Sequence, residues 1–330
     1  MGNSEFDIIL QNKWNLKMNE GNVFWYTLTI PKEKNITEKF FLQLNINRAF
    51  IKRPPENICH INQPYNPDTF NFNKIKENEK LFIILNEKVK NESMYKNMVI
   101  VNVSPLGSYH ILLVPNPQKC FPQVLTLENL NSIIEISLLS NSAYFRIGFN
   151  SLGAYASVNH LHFHAYYLNH EMFLETAPVK KIAGSCYSVE NYPGKGFVFQ
   201  IRNKEEIMFV VKKIFVLINL LQRYNIPQNL FITRGVKFET VDELSSDTKS
   251  WNRNCLRIYI WARKPSWGIK ELSAFNIATC ELFGHLVIKN ELDFNSLTYD
   301  NIVKVLEDLT EEPYKTVMSD VIKLFNIEDT

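Results

Sequence analysis

Apolar positions recur along this chain in two rhythms. Residues 98–103 and 111–114 are aliphatic, β-branched runs on either side of the turn Pro105-Leu106-Gly107, a pattern that predicts a β-hairpin. Thr126 precedes Leu127, Leu130, Ile134 and Leu138, whose near-helical spacing predicts a capped helix. Residues 145–149 and 158–168 read as strands joined by a bend at Gly153. After a loop marked by Pro178, Gly184, Pro193, Gly194 and Gly196 the pattern resumes. A helix is expected over 205–224, stopping short of Pro227, with strands at 230–233 and 256–261. Residues 271–283 read as helical, and two amphipathic segments, 297–309 and 314–325, follow. The first forty residues mix Asn, Lys and Glu with short apolar clusters and read as peripheral.

The chain has 330 residues, and at roughly 150 per domain the expectation is two packed units. The strand-and-helix recurrence divides them as 1–175 and 176–330, with the boundary between Glu175 and Gly196 and an α+β architecture. Apolar residues at 45% and charged residues at 21% exclude wholesale disorder. A net charge of +2 does not announce a nucleic-acid binder. Five scattered cysteines with no Cys-x-x-Cys pair argue for a reducing compartment, against a disulfide framework and against structural zinc. The run at 214–221 is too short to span a bilayer, and Phe6 departs from the myristoylation pattern after Gly2. A soluble cytoplasmic protein without membrane contact is expected.

The chemistry concentrates in NHLHFHAYYLNH at 159–170, which holds four of the seven histidines. On a strand, His160, His162, His164 and Tyr166 share one face at intervals of about 7 Å, and Leu161, Phe163, Ala165 and Tyr167 share the other. The second set suits a core. Three readings compete for the first: ordinary hydrogen-bonded histidines, metal ligands, and nucleophilic catalysis at phosphorus. The preceding FRIGFNSLGAYASV, 145–158, favours the third, because its guanidinium, amide, hydroxyls and glycine bend suit phosphate oxygens and a metal site needs none of them. Arg146, Asn150 and Ser157 are the phosphate-binding candidates. Lys52, Arg53 and Lys74 can add positive potential, with a solvated surface the competing reading.

HLHFHAY at 160–166 resembles the His-φ-His-φ-His-φ-φ signature of the histidine triad superfamily, and residues 103–115 resemble its preceding hairpin. More narrowly, 145–168, QPYNPDTFNFNKI, NLFITRG, RIYIWARK and ATCELFGH resemble the animal GDP-D-glucose phosphorylases and are similar to the plant GDP-L-galactose phosphorylases. The resemblance spans roughly residues 40 to 310. It implies a histidine-triad-like fold of two related halves, each with an antiparallel sheet flanked by helices. It also implies attack by His162 on the α-phosphorus of GDP-glucose, a covalent guanylyl-histidine, and capture of the GMP unit by phosphate. His160 and His164 take supporting roles in that scheme, which needs no metal and no cofactor. A main-chain carbonyl is expected to hold the other ring nitrogen of His162. Glu281 and His285 match the second-half pattern, a structural role standing beside it. His164 stands where the plant enzymes carry Gln, so hydrolysis by water stays open as an alternative, as does a metal-dependent or binding protein. Because a duplicated chain can bury the face through which triad hydrolases pair, a monomer is expected.

Overall fold

The computed structural model describes residues 2–53, 56–86, 95–238, 253–267 and 274–326. In chain order the elements are α1 (Glu5–Glu20), β1 (Glu33–Ile36), β2 (Phe40–Leu44), α2 (Ile46–Phe50), β3 (Lys80–Asn86), β4 (Tyr95–Val101) and β5 (Ile111–Pro115). There follow α3 (Leu127–Ser137), β6 (Phe145–Asn150), β7 (Phe163–Tyr167), β8 (Val179–Ala183), β9 (Cys186–Val189) and β10 (Phe197–Ile201). The chain continues through α4 (Ile207–Arg223), β11 (Gln228–Gly235), β12 (Cys255–Ala262), α5 (Thr279–Leu282), β13 (His285–Ile288), α6 (Glu291–Ser296) and α7 (Tyr299–Asn326).

Ten strands form one sheet in the order β3-β4-β5-β7-β6-β11-β12-β10-β9-β8, with every neighbouring pair antiparallel. The first five come from one half of the chain and the last five from the other. Each half runs strand-strand-strand-helix-strand-strand, and the sheet order of one mirrors the other about the β6–β11 seam, where Asn150 faces Asn229 and Ile147 faces Ile232. The expected pair of antiparallel sheets is therefore fused edge to edge. Edge strands expose unpaired backbone groups, and this junction satisfies two of them at once.

The sheet alternates its side chains between two cores. Leu161, Phe163 and Ala165 join α1, α3 and α4 in the larger one, and Tyr166 faces the smaller, where β2, β13, α5 and α6 pack. The core face read from the sequence is the one observed. Thr126 caps α3 by accepting a hydrogen bond from the Asn129 N–H at 3.2 Å, as its position predicts.

Four expectations are corrected. The first forty residues are not peripheral: Ser4 caps α1, and Phe6, Leu10 and Trp14 are buried in the main core. The second strand of the histidine region begins only at Phe163, so His160 and His162 lie in an irregular lead-in. Of the helix expected over 271–283, residues 271–273 lie outside the described residues, and only Thr279–Leu282 is helical in the rest. Finally, the two C-terminal segments are the single helix α7, which passes through Pro313. A proline there has no N–H for the carbonyl four residues back. The carbonyl in question, that of Leu309, instead accepts from the Lys264 N–H at 2.9 Å, so the helix continues.

Candidate active site

A cavity of about 240 Å³ opens where α2, the β4–β5 hairpin, the 150–158 bend and the chain entering α5 and β13 converge. His162, His164, Asn150 and Ser157 line it together with Arg48, Lys52, Arg53, Lys289, Glu79 and Glu281. The bend turns at Gly153, whose φ of +73° favours glycine, and a Cβ there would lie 2.7 Å from the Trp267 ring. Gly148 lies opposite His164 in the β6–β7 register, and a Cβ on it would sit 2.5 Å from Thr279 Cγ2. The missing side chain lets α5 approach the sheet beside His164 and sets Glu281 on the cavity wall.

His162 is held from both sides. Its Nδ1 is 2.8 Å from the carbonyl oxygen of His160, an acceptor only, so Nδ1 carries the proton and Nε2 keeps the lone pair. The expected main-chain carbonyl is in place. Gln123, fully buried, accepts from His162 N–H at 2.9 Å and donates to the carbonyls of His162 and Asn150 at 3.0 and 2.9 Å. Asn159 in turn accepts from the Gln123 N–H at 2.9 Å. Burial lowers the pKa of His162 to about 4, so the ring is neutral at pH 7.

A second chain of contacts fixes His164. The Leu106 N–H donates to His110 Nδ1 at 2.9 Å, which leaves the His110 proton on Nε2. That nitrogen is 3.1 Å from His164 Nδ1. With the His110 proton on Nε2, that N–H donates to His164, whose own proton then sits on Nε2; the Asn102 amide flanks the same His110 nitrogen at 3.2 Å. Burial drives both pKa values well below the usual histidine range. His164 thus presents a neutral N–H donor beside the bare nitrogen of His162, the ring centroids 5.5 Å apart.

The other candidates separate. His160 is fully buried, its Nδ1 accepts from the Phe72 N–H at 3.0 Å, and it does not line the cavity. Of a supporting role for His160, what the structure gives is orientation, through its carbonyl on His162 Nδ1. The phosphate role of Arg146 is corrected. Its guanidinium is fully buried, ion-paired to Glu175 at 2.7 Å, and it donates to the carbonyls of Tyr144, Leu168 and His170. Asn150 lies in the wall with its Oδ1 accepting from Asn229 and the Thr279 N–H, which leaves its Nδ2 hydrogens for a ligand. Lys74 turns to the carbonyls of Pro67, Asp68 and Thr69. Glu281 accepts from the Ala278 N–H and the Cys280 thiol, and burial raises its pKa. His285 opens β13, 3.2 Å from Gln43 Oε1, and stays out of the cavity.

Sequence reasoning missed Arg48, His110 and Gln123. Arg48 lies on the short helix α2, just past the stretch read as peripheral, and Gln123 acts through contacts 39 residues away that no local pattern encodes. His110 stood within the hairpin motif, where its pairing with His164 depends on the fold.

Four cationic side chains and two carboxylates line the cavity, although the whole chain carries only +2. The wall favours an anionic ligand. Among the described residues no three His, Cys, Asp or Glu side chains gather as a metal site would require. No described helix is long and apolar enough to cross a membrane.

The histidine burial also sets a pH response. His110, His160, His162, His164 and His285 all have lowered pKa values, mainly through burial. Between pH 6.5 and about 4 the unfolded chain therefore binds protons that the folded chain does not, so stability falls as pH falls. Thermal melts across that window should show a continuous drop in Tm; a flat profile would contradict the burial of neutral rings.

Comparison with known proteins concerns the chain as a whole. The family described as GDPGP1-like, N-terminal domain matches residues 5–166, and GDPGP1-like, C-terminal domain matches residues 170–327. The chain is 43% identical to GDP-D-glucose phosphorylase 1 of Danio rerio, over 93% of this chain and 87% of that one. It is 37% identical to the Homo sapiens protein of that name, over 94% and 80%. Identity to GDP-L-galactose phosphorylase 1 of Arabidopsis thaliana is 30%, over 94% and 71%. Among solved structures, yeast Ap4A phosphorylase Apa2 in complex with Ap4A superposes with a TM-score of 0.64 at 13% identity, over 94% of this chain and 98% of that one, a likeness of fold.

Proposed function

The chain belongs to the GDPGP1-like family, and from that premise we propose that it is a GDP-hexose phosphorylase converting GDP-glucose and phosphate to GDP and glucose 1-phosphate. The observation that carries the reading is the neutral His162, its Nδ1–H spent on the His160 carbonyl and its Nε2 on the wall of a cation-lined cavity.

In the first displacement, the Nε2 lone pair attacks the α-phosphorus, a P–N bond forms, and the bond to the bridging oxygen breaks. Glucose 1-phosphate departs with the electron pair; as a phosphate monoester it needs little protonation. His164 Nε2–H donates to the bridging or a non-bridging oxygen as charge develops there. In the second displacement, an oxygen of inorganic phosphate attacks the guanylyl phosphorus and the P–N bond breaks. GDP forms and His162 returns neutral. Asn150, Ser157 and the cations Arg48, Lys52 and Lys289 are assigned to the phosphate oxygens. The alternating requirements suit fixed donors in a site that does not reorganise.

Incubation with GDP-glucose should yield GDP, and glucose 1-phosphate beyond one equivalent per enzyme, only when phosphate is supplied. GMP released at the same rate without phosphate would replace phosphorolysis with hydrolysis. Gln123→Leu, which frees the backbone around His162, should lower kcat about 10²-fold. The fold should remain intact by circular dichroism; unchanged turnover would remove Gln123 from the site.

The division into halves 1–175 and 176–330 is also proposed, on the support of their matching strand order. A monomeric, cytoplasmic enzyme acting without metal, nucleic acid or membrane completes the reading. Its support is that α3 and α4, one from each half, already pack together within one chain.

A further inference from the structure

The His162 side of the cavity continues along an apolar wall. Phe72 packs against the His162 ring with centroids 5.0 Å apart and against Phe70 at 5.8 Å. Phe70 carries the Arg53 guanidinium over its face at 3.7 Å, and Trp25 flanks it at 5.4 Å. Arg53 in turn donates to Glu79 Oε2 at 3.1 Å. Three successive ring contacts thus lead from the nucleophile to an ion pair whose two members both line the cavity. Steps of 5.0, 5.8 and 3.7 Å leave room along this wall for a nucleoside monophosphate. Ile100, Leu112 and Val158 belong to the same apolar cluster as Phe72 and line the cavity, a surface suited to the face of a planar base.

The pair has unspent hydrogen-bonding capacity. Glu79 accepts one bond from Arg53 and one from the Lys76 N–H at 3.3 Å, whereas a carboxylate offers about four lone-pair sites. Arg53 uses one of its N–H groups on Glu79, and stacking between Phe70 and Trp25 fixes the plane of the rest. The cavity's other carboxylate, Glu281, sits against Cys280 in the opposite core cluster, away from Phe72.

Resting on the reading of this cavity as a GDP-hexose site, we infer that the Arg53–Glu79 pair reads the base edge of guanine. Glu79 accepts from the guanine N1–H and N2–H groups, and Arg53 donates to O6. Adenine offers no donor at N1 or C2 and presents an amino group where guanine has O6. It would leave Glu79 buried against an acceptor and Arg53 against a donor. Hypoxanthine keeps N1–H and O6 and lacks only the exocyclic amine, so it isolates one bond to Glu79.

Calorimetric binding of GDP, IDP and ADP to the whole chain tests this. A hydrogen bond to a charged acceptor corresponds to about tenfold to a hundredfold in affinity. The wild type should prefer GDP over IDP by that factor, and Glu79→Gln should bring the two within about threefold of each other. Arg53→Met should weaken GDP and IDP alike, because both carry O6. Equal wild-type affinity for GDP and IDP overturns the inference without any variant, and an unchanged GDP-to-IDP ratio in folded Glu79→Gln overturns it as well. Phosphate-dependent turnover of GDP-glucose by the wild type is a separate measurement. Its absence would sink the phosphorylase reading, whereas binding ratios that ignore Glu79 would sink only the assignment of the base.

Discussion

His162→Ala is expected to lower turnover of GDP-glucose by at least about 10⁴-fold, the scale of loss when a covalent nucleophile is removed. No neighbour can take its place. His164 Nδ1 accepts from His110, so its remaining ring nitrogen bears a proton and has no lone pair to offer. His160 turns its Nδ1 to the Phe72 N–H and its ring away from the cavity. The alanine variant keeps the main-chain bonds to Gln123, since those use the backbone of residue 162, and the lead-in to β7 should stay in place. The decisive measurement is covalent labelling: GDP-glucose radiolabelled at the α-phosphorus, supplied without phosphate, should leave label on the wild type and none on the variant. A folded variant that kept more than a tenth of wild-type turnover, or still took up label, would end the mechanism.

The pH profile of the same step has a definite sign. The attacking form is neutral, and burial places His162 at about 4, so kcat/KM should hold down to about pH 5 and decline only near 4. Exposed histidine would instead impose a limb near 6.5. Because the fold loses stability over that interval as well, activity has to be measured with circular dichroism at each pH. A limb near 6.5 in a protein still folded would show that the ring is not desolvated.

What the sequence made legible is what short-range physics encodes. The 3.6-residue rhythm of α3 and α4, the cap at Thr126 and the alternation through Leu161, Phe163 and Ala165 each depend on neighbours in the chain, and each appears where expected. The proposed nucleophile was legible because three alternating imidazoles form a local pattern. Features that depend on distant partners were not. Pro313 looks like a helix break until the Lys264 N–H takes the orphaned Leu309 carbonyl. The N-terminal helix has a weak apolar rhythm, and its burial follows from one side, Phe6, Leu10 and Trp14, meeting the sheet. Gln123 and His110 carry no periodic signature. Their importance comes from closing bonds across 39 and 54 residues. Arg146 shows the converse error: an arginine beside the histidine strand has the right charge for phosphate, yet it lies at the far end of β6 from Asn150, where Glu175 and three carbonyls take up its guanidinium.

That error can be put to measurement, with the largest expected effect on stability. Arg146 and Glu175 both have fully buried side chains, and Glu175 also pairs with Arg253 at 2.5 Å and accepts from Thr233 Oγ1 and the Met172 N–H. Thr233 and Arg253 come from the second half of the chain, Arg146 from the first, so one carboxylate ties the two together. Glu175→Ala would strand a guanidinium with no counter-charge in the core, an expected loss of about 3–5 kcal/mol. Urea denaturation reads that loss as a lower midpoint, and a change within 1 kcal/mol would mean that the buried pair matters little. Arg146→Lys separates structure from ligand binding. An ammonium cannot reach Glu175 and three carbonyls in the same plane, so the variant should be less stable. Molecules that remain folded should show an unaltered KM for phosphate, because the cavity lacks Arg146 in its wall. A raised phosphate KM at undiminished stability would return Arg146 to the phosphate site and displace the structural assignment.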